Sequence, residues 1–270
     1  MRAGGSLRRR RGFLLLASAW AVALATPAAQ AACDGPLLGT GQVAAILDAR
    51  TLRLDDGREV RLSGIEIPAS ADTAGIAWLR DRALRQAVTL HGSDDAPDRY
   101  GRQHAFVFLT DSDATLQSAL VRHGHAVVSV TTGDKACATE LKQAELHAGT
   151  ARLGVWSQPG LVLDATATSD ILKYIGRFTL VEGTILSARQ AGATLYLNFD
   201  RRRIQGFAVT VSRRMMASFA AAGLTAAALT GQRVRVRGWI SQHGGPRIEA
   251  AVPGQIELVN DTRTAAAGGK

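Results

Sequence analysis

The stretch ILDARTLRLDDGREVRLSGIEIPAS, residues 46–70, holds three short runs in which apolar and polar side chains alternate, the period of half-buried strands. Asp56-Gly57 separates the last two runs as a hairpin turn, and Pro68 ends the third. Its polar positions are heavily charged. Asp48 and Arg50 flank the first turn, and Arg61 and Glu66 lie on the third run.

Outward from there, apolar spacing predicts a helix over 72–88, with Ile76, Leu79, Ala83, Leu84 and Ala87 on one face, then strands at AVTLHG and RQHAFVFLT. Asp113 is the expected cap of a short helix ending at Gly124, and a last helix is expected over 134–152, stopped by Gly154. SQPGLVLDATATSD reads as a linker. The expected domains are therefore 32–158 and 176–260, joined by a linker at 159–175 and followed by a disordered tail at 261–270. The second domain repeats the pattern of the first: strands at RFTLVEGTILSA, ATLYLNFD and GFAVTVS, a helix over 213–222, then strands at RVRVRGWIS and RIEAAV. Three strands, a helix and two strands is the order of a five-stranded, partly open OB-type barrel. The expected class is mainly β with helices (α+β), two such barrels in series.

Residues 1–31 have the build of a signal peptide: an arginine run at 8–11, an apolar run at 13–25, then Ala29-Gln30-Ala31 before the cleavage point. The apolar run is too short to span a bilayer. The mature chain is expected to be exported to the periplasm or the cell exterior, with no transmembrane segment, by the general or the twin-arginine route. Removing 1–31 takes away five arginines, so the formal net charge of +9 falls to +4. The remaining cysteines, Cys33 and Cys137, read as one disulfide in an oxidising compartment, or as two free thiols. Residues 33–158 carry 13 Lys and Arg against 16 Asp and Glu, and residues 176–260 carry 11 against 4, so the basic surface belongs to the second domain.

Three landmarks in order, the opening stretch, DRYGRQHAFVF and AELHAGTARLGVW, give residues 38–158 a resemblance to the staphylococcal nuclease (thermonuclease) family. The resemblance implies an OB-type barrel with helices that hydrolyses phosphodiesters, using two arginines, a calcium ion held mainly by two aspartates, and a glutamate base. Carried over by position, it makes Arg61 and Arg102 the catalytic arginines, puts Tyr100 near the substrate phosphate, and sets Glu66, with Asp48 close by, at the metal. Two positions depart. Arg50 stands in Asp48-Ala49-Arg50-Thr51 where the family has its other calcium aspartate, and Ala69 stands where it has the glutamate after proline. Losing a general base costs ~10² to 10⁴ in rate. The remaining Arg50, Arg61, Arg102 and Tyr100 suit phosphate binding without cleavage, and calcium is a doubtful cofactor.

In the second domain, Arg233, Arg235 and Arg237 alternate with Val234 and Val236, Arg201, Arg202 and Arg203 lie at an expected hairpin, and Trp239 is close by. Basic strands with aromatic neighbours suit a surface that tracks a nucleic-acid backbone, and edge strands are also charged merely to resist aggregation. His123-Gly124-His125 has no third ligand at metal spacing and reads as structural or solvated. No Walker loop, dinucleotide fingerprint, Cys-x-x-Cys pair or nucleophile elbow is present. The expected function is binding of nucleic acid or another phosphate-rich polyanion with impaired hydrolysis. The alternatives are an active calcium-dependent nuclease in which Asp48 or Asp72 compensates, and a structural or interaction protein of the cell envelope.

Overall fold

A computed structural model describes Met1 and residues 32–93, 96–129, 134–201 and 205–259. The expected export segment, apart from Met1, and the tail at 261–270 lie outside the described residues. From residue 32 onward the described chain forms one compact unit of α+β class. No helix among the described residues is long and apolar enough to cross a membrane.

The first half runs β1 (Leu37–Asp48), β2 (Thr51–Leu54), β3 (Glu59–Leu62), β4 (Ile65–Glu66), α1 (Asp72–Ala83), β5 (Ala87–His91), β6 (Arg102–Leu109), α2 (Leu116–Arg122), β7 (Val127–Val128) and α3 (Lys135–Thr150). Five of these strands close a barrel in the order β1-β2-β3-β6-β5, with β3 and β6 parallel and the other neighbours antiparallel. β1 is shared by two partners: residues 37–42 pair with β5, and residues 43–48 with β2. Alternation explains the wall. Leu52, Leu54, Val60 and Leu62 point into the core, while Arg53, Glu59 and Arg61 stay on the outer face. α1 stops at Ala83, short of the expected 88, because Arg85 takes a left-handed φ of 65° and the chain turns directly into β5. Thr115, rather than Asp113, caps α2, its hydroxyl accepting from the Ser118 amide at 3.0 Å. Cys33 and Cys137 form a disulfide across a sequence separation of 104.

Gly124 ends the α2 segment at φ 73°, and a Cβ there would stand 2.2 Å from the carbonyl oxygen of Leu153. The same approach is mirrored at Gly154, whose added Cβ would meet the Gly124 oxygen at 2.2 Å. Two glycines far apart in sequence thus let α2 and the chain leaving α3 touch backbone to backbone. His123 and His125 pack against Trp78, with His123 exposed.

The second half runs β8 (Val162–Asp164), α4 (Thr168–Leu172), β9 (Phe178–Thr184), β10 (Ser187–Ala191), β11 (Thr194–Asn198), β12 (Ala208–Ser212), α5 (Arg213–Ala221), α6 (Ala226–Leu229), β13 (Arg233–His243), β14 (Gly245–Glu249) and β15 (Ile256–Leu258). The segment expected as a linker at 159–175 contains β8 and α4. Its small polar residues concealed Leu163, Ala165 and Ile171, which are buried in the second core, and β8 pairs in parallel with β9. The sheet order is β10-β11-β12-β14-β13-β9-β8, with β12 and β14 parallel. β9 pairs with β13 and β10 with β11, so the run across 178–191 divides between two partners as β1 does.

The halves are cemented by Ala71, Val127, Val155 and Leu180, with Ile67 and Phe178 packed against them. Beside this apolar patch, Arg237 is 0% exposed. Its guanidinium donates to the Val128 carbonyl at 2.8 Å and pairs with Glu145 at 2.8 Å and Glu257 at 2.9 Å.

Candidate functional site

The outer face of β2, β3 and β6 gathers the charged residues of the opening stretch. Arg61 lies opposite Thr51 on β2 and His104 on β6, and Glu59 lies opposite Arg102. Arg61 Nη1 is 3.2 Å from Thr51 Oγ1 and 4.0 Å from Asp48 Oδ2. Asp48, Arg61 and Arg102 are therefore brought together, and His104 joins them without having been singled out in the sequence. Only the parallel register of β3 and β6 reveals its place.

Arg50 goes elsewhere. It is buried, its Nε donates to the Leu62 carbonyl at 3.0 Å, and its Nη1 forms an ion pair with Glu66. The Asp48 carboxylate accepts from the Arg50 amide at 2.7 Å and fixes the β1–β2 turn. Burial pulls the Arg50 guanidinium below its ordinary pKa; Glu66 opposes that shift and the neighbouring Arg61 adds to it. A fixed cation is thus seated on the carboxylate that the resemblance assigned to the metal.

DRYGR forms a turn organised by Asp98, which is not among the residues the sequence singles out. Its carboxylate accepts from the Tyr100 amide at 2.8 Å, from the Arg102 amide at 3.1 Å, and from Arg102 Nε and Nη2 at 3.0 and 2.7 Å. Gly101 takes φ 79°, which the turn requires. The hydrogen bonds from Arg102 hold the Asp98 carboxyl far below the usual carboxylate range, and Asp98 in turn raises the Arg102 pKa. Tyr100 is exposed, with the guanidinium carbons of Arg99 and Arg102 at 4.7 and 4.9 Å from its ring centroid. Arg99 is a second unexpected member of the site. An exposed aromatic ring beside two cations suits a phosphate ester carrying an aromatic base.

Residues 59–158 match the family model of the staphylococcal nuclease homologues. A search of the curated proteins found no match. The matched segment of this nuclease-homologue region includes Arg61, Glu66, Ala69, Tyr100 and Arg102. β1, β2 and the Asp48–Arg50 turn precede it, although they complete its barrel.

Calcium takes six to eight oxygen ligands, carboxylates foremost. In the nuclease-homologue region Glu66 is engaged by Arg50, and among the described residues no group of three or more His, Cys, Asp or Glu side chains is arranged to hold a metal. This donor set does not fit calcium. Ala69 opens onto a cleft of about 470 Å³ that also meets Glu66, Pro68, Arg177, Phe178 and Trp239. Trp239 is exposed there, edge-on to Phe178. Second-half aromatics therefore share a cleft with the position where the resemblance placed the base.

The expected basic face of β13 is corrected. Alternation holds, but Arg233 and Arg235 both pair with Glu182, at 2.9 and 2.8 Å, and Arg237 is sealed between the halves. The sequence shows three arginines on one side of a strand and does not show the three glutamates that other elements bring to them. Arg201 is exposed, and Arg202 and Arg203 lie outside the described residues.

Proposed function

We propose that this is an exported protein that binds nucleic acid, or a chemically equivalent phosphate-rich polyanion, at a nuclease-homologue site whose hydrolytic chemistry is impaired. The observation that carries this reading is the Arg50–Glu66 ion pair, which occupies with a guanidinium the carboxylate that the resemblance assigns to a metal. That guanidinium is buried and committed to Glu66 and the Leu62 carbonyl, and it cannot lower the pKa of a bound water as a metal ion would. Arg61, Arg102, Arg99 and Tyr100 would hold the phosphate and base from the same outer face. Ala69 offers no proton acceptor, and no glutamate replaces it in the cleft other than the one already paired. Export is supported by the N-terminal pattern and by the Cys33–Cys137 disulfide, a bond that persists in oxidising compartments. The repeated pairing pattern supports reading the expected domain at 176–260 as a second OB-type barrel.

A second reading, residual phosphodiesterase activity, is favoured by Asp48, whose half-exposed carboxylate lies 4.0 Å from Arg61 on the open face. Titrating labelled DNA and RNA oligonucleotides against the mature protein tests the first reading. Affinity should fall with salt, and Arg61→Gln and Arg102→Gln should each flatten the slope of log K against log salt by ~0.7 to 0.9. Absence of binding even at low salt leaves only the envelope-partner role.

A further inference from the structure

The outer face of β10, β11, β12 and β14 carries a groove of about 240 Å³ lined by Arg189, Tyr196, Asn198, His243 and Arg247 over small residues. The register explains its composition. Tyr196 lies opposite Arg189 on one side and Thr210 on the other, and Ala208 separates Asn198 from Arg247. Leu195, Leu197, Val209 and Val211 face inward and are buried, which leaves the alternate positions to the groove. Among the described residues no carboxylate lines it, and Glu249, next on the same face, is not among its lining residues. Here the cations differ from those of β13, which carboxylates hold. Arg247 lies over the Tyr196 ring at 5.5 Å, donates from Nη2 to the His243 carbonyl at 3.3 Å, and keeps a buried Nε that, among the described residues, donates to no atom.

We infer that this groove is a stacking platform for single-stranded nucleic acid, a second binding site distinct from the nuclease-homologue region. An arginine layered on a tyrosine presents a planar, cationic surface, onto which an unpaired base can stack while Arg189 and His243 meet the adjoining phosphates. A duplex hides its base faces and offers only phosphates and groove edges, so the platform selects unpaired strands. Small floor residues matter because any larger side chain at Ala208 or Gly206 would fill the space a base needs.

This inference rests on the nucleic-acid reading above, and the two are separated as follows. A fluorescein-labelled oligothymidylate of about twelve nucleotides, within the roughly 4 to 16 that such barrels cover, is titrated against the full mature chain, with its duplex and inorganic polyphosphate as controls. Tyr196→Leu, which keeps bulk on the strand and removes the aromatic face, should weaken single-strand binding about tenfold. Tyr196→Phe should retain it, and Arg247→Gln should lower both affinity and salt slope, the slope by about 0.7. Duplex and polyphosphate binding should be insensitive to Tyr196→Leu. Equal single-strand affinity for Tyr196→Leu and the unaltered protein, or equal losses for the Leu and Phe variants, overturns the platform. Loss on Arg61→Gln alone overturns it too while leaving the proposed function standing. No binding by the unaltered protein overturns both.

Discussion

At the scale of single residues, the decisive one is Arg50. Its replacement of an expected metal ligand was legible, because Asp48-Ala49-Arg50-Thr51 sits between two strands whose alternation is unambiguous. Its destination was not: only the fold brings Glu66 under its guanidinium. Arg50→Ala should leave that carboxylate unpaired and the Leu62 carbonyl without its donor, at a cost of about 3 kcal/mol in chemical denaturation. A loss under ~0.5 kcal/mol would mean that the pair is solvated rather than structural. Arg50→Asp makes the complementary test. With the guanidinium gone and a second carboxylate in place, calorimetry should detect calcium binding that the unaltered protein lacks. Asp98 teaches a related lesson, since its acceptor role is mostly local: Tyr100 and Arg102 lie within DRYGR and only His104 lies beyond it; a glycine at 101 and an aspartate three residues earlier were the readable signal.

At the scale of elements, strand existence and facing were legible from period-two alternation, and what each face meets was not. β13 shows this most clearly: Val234 and Val236 are core as the pattern requires, yet the arginine side is clamped by Glu182 of β9, Glu145 of α3 and Glu257 of β15. Arg237→Ala should cost about 3 to 5 kcal/mol, because it leaves the buried Glu145 without its cation and Glu257 with Lys142 alone. Lowered melting that is fully restored by adding Glu145→Gln would identify the cause as the unpaired charge. The same clamp sets an acid limit. Burial raises the pKa of both Glu182 and Glu257, but the facing cations (Arg235 and Arg233 for the first, Arg237 and Lys142 for the second) outweigh it, leaving both below the ordinary 4.5. Their stabilisation is therefore complete above that ordinary value and is lost as pH falls through the lower folded values. Melting temperature should drop on acidification below about pH 4.5, and Glu257→Gln should show a shallower drop from a lower starting point. An unchanged acid slope in that variant would show that Glu257 is not part of the clamp.

At the scale of the whole molecule, the sequence predicts two domains and a linker, and the described chain from residue 32 packs as one compact unit around two apolar cores. The reason is physical: β8 and α4 bury Leu163 and Ile171, and the apolar patch around Val127 and Leu180 continues from one half to the other. The disulfide ties this unit from its start to α3, and its reduction should lower stability by about 4 to 5 kcal/mol in the chain-entropy account. A melting temperature indifferent to reductant would contradict that. The central claim is that the nuclease-homologue site holds phosphate and does not cut it. Its most direct measurement follows labelled single- and double-stranded DNA and RNA with the mature protein, in calcium and in chelator, beside Arg102→Ala. The expected result is salt-sensitive binding, weakened in Arg102→Ala, with no calcium-dependent cleavage. Calcium-dependent cleavage that disappears in Arg102→Ala would contradict the account.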